Sequence, residues 1–165
     1  MNPRFHVPVL AALAALLGAA AAPAADPALE LVQTIVSKGK AGDLDHLAID
    51  AKGQRLFLSN KANDTLDVLD LKAGQLLKQI GGQNAVQGVA YAPELNRIYA
   101  ALSTGGLCNV FNGESYKIVK TLNFKDDADN VRYDAARGRV YVAHDEKALA
   151  VVDAKTNGVK ADIPL

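Results

Sequence analysis

Arg55-Leu56-Phe57-Leu58, Arg97-Ile98-Tyr99-Ala100 and Arg139-Val140-Tyr141-Val142 decide the fold. Each block reads arginine, aliphatic, aromatic, then small or aliphatic, and the spacing is 42 residues both times. The frame runs upstream through Leu47-Ala48-Ile49-Asp50, Val89-Ala90-Tyr91-Ala92 and Val131-Arg132-Tyr133-Asp134. It runs downstream through Asp67-Val68-Leu69-Asp70, Asn109-Val110-Phe111-Asn112 and, after a one-residue deletion, Ala150-Val151-Val152-Asp153. A last segment recurs as Leu77-Lys78-Gln79-Ile80, Val119-Lys120-Thr121-Leu122 and Lys160-Ala161-Asp162-Ile163. A fixed period of this length marks a repeat architecture.

Each period holds four short apolar segments separated by turn residues. Lys52-Gly53, Pro93-Glu94-Leu95-Asn96 and Arg137-Gly138 divide the first from the second. Lys72-Ala73-Gly74, Asn112-Gly113 and Thr156-Asn157-Gly158 divide the third from the fourth. Gly and Asn supply the positive φ that tight hairpins need. The segments are too short for helices and rich in Val, Ile, Leu, Tyr and Phe, so they read as strands. Some are apolar on both faces, as in Leu56-Phe57-Leu58, which suits a sheet with a neighbour on each side. Four antiparallel strands per period make a propeller blade. A β-sandwich, the main rival, has no reason to repeat one four-strand unit at a fixed period. The fold class is therefore all-β, a β-propeller with three four-stranded antiparallel blades.

Arg139-Val140-Tyr141-Val142-Ala143 followed by Ala150-Val151-Val152-Asp153 resembles the YVTN-type repeat. The order His46-Leu47-Ala48-Ile49-Asp50 and then Asp127-Ala128-Asp129-Asn130-Val131-Arg132-Tyr133-Asp134 is similar to secreted bacterial YncE-like propellers. The resemblance covers about residues 30 to 165. It implies a seven-bladed ring, on the order of 300 residues. It is specific for the fold and weak for function, because propellers host many unrelated activities.

Blade repeats are expected at about 44–80, 86–122 and 128–163 within propeller residues 25–165. Three blades cannot close a ring. The chain therefore reads as the N-terminal fragment of a longer protein, with the remaining blades as implied partners. Leu31-Val32-Gln33-Thr34-Ile35 matches the fourth strand of a repeat, so 31–35 is expected to be a lone strand completing a blade elsewhere.

Residues 1–24 read as a signal peptide. Arg4 and His6 form the polar start, Val7 to Ala22 an apolar run, and Ala22-Pro23-Ala24 the small-x-small cleavage pattern. The run is about 16 residues, short of the roughly 20 that cross a bilayer. A periplasmic or secreted location follows, with no membrane span after cleavage. The 165 residues hold equal numbers of basic and acidic groups, and losing Arg4 leaves one more acid than base. That balance offers no broad attraction for nucleic acid. Cys108 is the only cysteine, so no internal disulfide forms, and its apolar strand makes it a buried thiol.

Propeller function usually sits where loops lead into the innermost strands. The frame places Asp45-His46, Gln87-Gly88 and Asp129-Asn130 there, with Asp43, Asp126 and Asp127 just upstream. Asn60-Lys61, Leu102-Ser103 and His144-Asp145-Glu146 follow the second strands at the same end. Asp45, His46, Gln87, Asp129, Asn130 and His144 are thus the ligand-binding candidates. His46 beside Asp43 and Asp45 suits a metal ligand or general base. Asp127, Asp129 and Asn130 form the densest oxygen cluster and are the candidates for a divalent cation, the one cofactor such loops suit. The competing reading is that these acids and amides are turn formers and solvated charges. Arg55, Arg97 and Arg139 recur in every blade, which favours a structural role. No Ser-His-Asp order, phosphate-binding glycine loop or CxxC pair is present. The resemblance implies a binding or interaction scaffold for a small molecule or protein. The alternative is a metal-dependent hydrolase of the lactonase or gluconolactonase-like propeller type.

Overall fold

Each repeat folds into one antiparallel sheet whose strands lie side by side in chain order. The first blade holds β1 (Leu47–Asp50), β2 (Arg55–Asn60), β3 (Thr65–Asp70) and β4 (Gln75–Ile80). The second holds β5 (Val86–Ala92), β6 (Arg97–Leu102), β7 (Leu107–Asn112) and β8 (Ile118–Asn123). The third holds β9 (Ala128–Asp134), β10 (Arg139–His144), β11 (Ala148–Asp153) and β12 (Gly158–Pro164). This computed structural model describes residues 29–165 apart from Glu146. The signal-peptide reading of residues 1–24 lies outside the described residues. Gln33–Leu165 make one compact unit, and residues 29–32 belong to a separate one. Among the described residues no helix is long and apolar enough to cross a membrane.

The turns explain why the strands stop where they do. Asp70, Asn112 and Asp153 end the third strand of each blade, and each side chain accepts two backbone N–H groups of the following turn. This is a side-chain mimic of a backbone turn. The left-handed position that closes each turn is held by Gly74 (φ 66°), Tyr116 (φ 57°) and Asn157 (φ 55°). Tyrosine is unfavourable there, by roughly 1–2 kcal/mol for a left-handed residue with a Cβ. The Tyr116 hydroxyl is held by Arg55 of the first blade at 3.0 Å, which ties the strained residue to the neighbouring sheet.

Side chains alternate between the two faces of each strand. In the middle blade both faces are buried. Ile98, Ala100 and Phe111 pack with Phe57, Leu66 and Val68 of the first blade. Tyr99, Ala101, Cys108 and Val110 pack with Val131, Val140, Val142 and Val152 of the third. The two-sided apolar strands are therefore explained by a neighbour on either side. Burying a side chain as large as Phe57 contributes roughly 1.5–3 kcal/mol. The innermost strands approach so closely that a Cβ on Gly88 would overlap the Asp129 carbonyl and lie 2.7 Å from Val131 N. Only a glycine fits that crossing of β5 and β9.

The fourth strand of each blade is its outer edge, and each carries one bulge. The register skips Leu77 in β4, Val119 in β8 and Lys160 in β12. A bulge twists an edge and interrupts its free hydrogen-bonding row, and the adjacent Lys78 and Lys120 add charge. The other face of the third blade stays open, and that of the first stays open along its innermost strand. Leu47 and Ile49 are 60% and 56% exposed, and Ile163 is 44% exposed.

Residues 31–35 form no strand. A strand needs a partner for its backbone groups, and none of the twelve strands pairs with this stretch. Within the compact unit, 33–44 instead runs across the first blade on the face turned away from the second. Ser37 donates to Asp67 at 2.8 Å, Gln79 donates to the Lys38 carbonyl at 3.0 Å, and Lys40 and Asn63 exchange two hydrogen bonds.

Candidate functional site

The segments leading into the innermost strands share one end of the blades with the turns after each second strand. Backbone bonds hold them together in every blade. Asp45 N–H donates to Ser59 O at 2.9 Å, Ser103 N–H to Ala85 O at 3.2 Å, and Asp145 N–H to Asp127 O at 2.8 Å. This end is the rim on which the candidate residues fall.

Two of the candidates, Gln87 and Asp127, are joined directly across blades, and Lys61 extends the link to a third blade. Lys61 of the first blade donates to Gln87 Oε1 of the second at 3.3 Å. Gln87 in turn donates through Nε2 to Asp127 Oδ1, at the start of the third, at 3.3 Å. A cation, an amide and a carboxylate thus form one polar chain spanning three blades. Its bonds are long and its ends exposed to half-buried, so water or a ligand competes for them readily. His46 and Asp45 lie beside each other, with Nδ1 2.7 Å from Asp45 Oδ1. That contact is close but lacks hydrogen-bond alignment.

The remaining candidates are placed differently from the loop positions expected of them. Gln87, Asp129 and Asn130 lie inside β5 and β9, because bulges between Val86 and Val89 and between Val142 and His144 extend those ladders past the irregularity. Asp129 and Asn130 are half-buried, and Asn130 Oδ1 is buried without a hydrogen-bond partner. His144 ends β10 but does not face the rim. It is 6% exposed, lies 2.8 Å from Asp162 Oδ1 through Nε2, and stacks on Phe124 at 4.6 Å between ring centres. A carboxylate only accepts, so Nε2 carries the proton in this pair. Among the described residues no three His, Cys, Asp or Glu side chains converge as metal ligands.

The sequence reading missed a polar layer inside each blade. Asp67 is fully buried on β3 and accepts from Ser37, Asn60, Thr65 and Gln79, all neutral donors, at 2.6 to 3.3 Å. At the same place in the second blade, Thr121 donates to Asn109, which donates to Gln83 Oε1 at 2.9 Å. In the third, Ala150 leaves room for His144 to reach Asp162 directly. Asp67 and Asn109 stood aligned in the repeat, and a carboxylate amid Leu66, Val68 and Leu69 was the available signal.

The recurring arginines sit at the opposite end and are not equivalent. Arg55 pairs with Asp50 at 2.7 Å and reaches across to the Gly113 carbonyl and Tyr116. Its guanidinium also lies 5.3 Å from the Phe57 ring centre and 5.9 Å from that of Tyr91. Burial opposes the charge on Asp50, but the Gly53 N–H and Arg55 outweigh it and hold the carboxyl below its ordinary range. Arg139 pairs with Asp153 at 2.6 Å, whereas Arg97 bonds to the Leu95 and Asn96 carbonyls of its own turn. Cys108 is fully buried, and desolvation pushes its thiol up to about 12, so it is no nucleophile at neutral pH.

No protein-family model matches the chain. The YncE protein of Salmonella typhi is 24% identical over 114 residues, covering 69% of this chain. That of Salmonella typhimurium strain LT2 is 23% identical over the same length. The match spans 32% of each relative, so the chain corresponds to about a third of their length. Among solved structures, hydrazine synthase from Kuenenia stuttgartiensis superposes with a TM-score of 0.67 at 16% identity, over 73% of this chain and 35% of that one. That likeness concerns the fold alone. The repeat, the blades and the sequence matches agree: the chain is built of β-propeller blades and is similar to the YVTN-repeat YncE proteins.

Proposed function

We propose that the chain is exported to the periplasm and serves there as a non-catalytic binding scaffold, its rim taking a small polar molecule or a protein loop. The Lys61–Gln87–Asp127 chain carries this reading, because it presents a donor cation, an amide and a carboxylate along one edge of three blades. The open faces of the first and third blades would stack on further blades of a ring, in keeping with relatives about three times as long as the matched stretch.

Two measurements test it. Expression in a bacterial host with its leader should yield a periplasmic product beginning at Ala25 or Asp26. A cytoplasmic product retaining Met1 would sink the export half. A thermal-shift screen of small polar metabolites should find stabilisers whose effect disappears in Lys61→Ala and Gln87→Ala. Stabilisation that persists in both variants removes the rim from the proposal.

The unpartnered Asn130 Oδ1 favours one second reading, a metal-dependent propeller hydrolase with Asp127, Asp129 and Asn130 contributing ligands. Stoichiometric divalent metal lost on Asn130→Ala, together with lactone hydrolysis, would favour it over the scaffold.

A further inference from the structure

We infer that the segment leading into each blade is the clasp of that blade, and that the third clasp positions the rim carboxylate Asp127. The geometry repeats with changing chemistry. Ser37 closes the first polar layer by donating to Asp67. Gln83, only 2% exposed, closes the second by accepting from Asn109. Phe124 closes the third by stacking on His144, whose other side is tied to Asp162 of the outer strand. In the second and third cases the clasping residue is also anchored to the preceding blade. Gln83 N–H donates to Asp64 O at 2.9 Å and Phe124 N–H to Gly106 O at 2.8 Å. These two clasps therefore grip the blade behind and the blade ahead.

The third clasp reaches the rim within three residues. Asp126 runs against Gly106, where a Cβ would lie 2.6 Å from the Asp126 carbonyl. Asp145, next to His144, donates its N–H to the carbonyls of Asp126 and Asp127. Asp127 then offers its carboxylate to Gln87, and Gln87 to Lys61. With Phe124 seated on His144, the short run 124–127 has its start fixed by a ring, its middle by a glycine and its end by Asp145. Phe124 and His144 are positioning residues in this scheme. They determine where the Asp127 carboxylate stands. The inference needs no ligand and holds or fails on the chain alone, whatever the rim binds.

The test is hydrogen exchange on the full chain, paired with the side-chain amide signals of Gln87 by nuclear magnetic resonance. Phe124→Ala should raise exchange across 124–128 about three- to tenfold, the range that loss of one aromatic pair produces. The Gln87 amide signals should move toward those of an unbonded amide, while β1 to β4 keep their protection. Phe124→Tyr retains the ring and should restore both readouts. Should Phe124→Ala open the whole chain, Asp162→Asn decides, since that side chain is 55% exposed and the change keeps its size. It should move both readouts in the same direction by a smaller amount. Unchanged exchange at 124–128, or an opened linker with unmoved Gln87 signals, overturns the inference.

Discussion

The Ser37 hydroxyl donates to the fully buried carboxylate of Asp67 at 2.8 Å, joining the segment ahead of the first blade to that blade's interior. Asp67 has no cation among its partners and is satisfied by neutral donors alone. Removing it leaves the buried Asn60 amide with only the Ser37 hydroxyl at 3.2 Å, and the part-buried Gln79 amide with only the Lys38 carbonyl. An unpaired buried donor costs about 1–3 kcal/mol. Asp67→Ala should therefore destabilise by about 3 kcal/mol in urea unfolding, and Ser37→Ala by about 1 kcal/mol. A loss below about 0.5 kcal/mol for Asp67→Ala, the range of ordinary surface changes, would contradict the polar-layer account.

Gly88 separates steric need from backbone freedom. Its contacts are the backbone of β9, which cannot swing aside like a side chain. Gly88→Ala should cost about 2–4 kcal/mol through overpacking. Gly81 meets nothing within 4 Å, so Gly81→Ala should be close to neutral. Equal effects in the two variants would mean that the strand crossing is not tight.

Arginines at one repeat position should differ in worth. Arg55 is 18% exposed, forks onto Asp50 and stacks among three rings, so Arg55→Lys should cost about 1–2 kcal/mol. Arg139 is one-third exposed and holds one carboxylate, so its lysine variant should lose less. Arg97→Lys should be near neutral. Chemical denaturation of the three variants checks the ranking, and equal losses would argue for a generic ring of cations.

Acid should weaken the Arg55 junction. The Asp50 carboxyl is held below its ordinary value of 3.8, so its stabilisation is complete above that value and is lost as pH falls through the lower folded value. Melting temperatures taken between about pH 5 and about pH 2 should fall more steeply for the wild type than for Asp50→Asn. Parallel curves would show that Asp50 gives no pH-linked stability.

Cys108 should report opening of the second and third blades. With its thiol raised to about 12 and no exposed surface, alkylation in the native state should be slow and should speed up only on unfolding. Rapid modification of the folded chain at neutral pH would show that this core breathes.

Much of the fold was legible because its signals are local. Alternating apolar residues, Asp or Asn at 70, 112 and 153, and a fixed period report strands and turns without knowledge of their neighbours. The rim was legible only in part. Gln87 and Asp127 stood on the expected end, but their bond to each other, and that of Gln87 to Lys61, depends on how far one blade turns from the next. His144 misled because it adjoins a loop residue. Its parity with Val140 and Val142, both buried toward the second blade, was the clue that it points inward. Clasping by Ser37, Gln83 and Phe124 was invisible, since three different side chains do one job and no pattern repeats. Tyr116 broke the rule that glycine or asparagine closes the turn, because a contact from another blade compensates it.

The uneven chemistry of the three polar layers bears on folding fidelity. Blades of near-identical shape invite mispairing, in which a linker seats on the wrong sheet or on another molecule during synthesis. Here a hydroxyl meets a carboxylate, an amide meets an amide, and a phenyl ring meets an imidazole. A swapped linker would bury a polar group without its complement, so each junction carries an address that the common scaffold lacks.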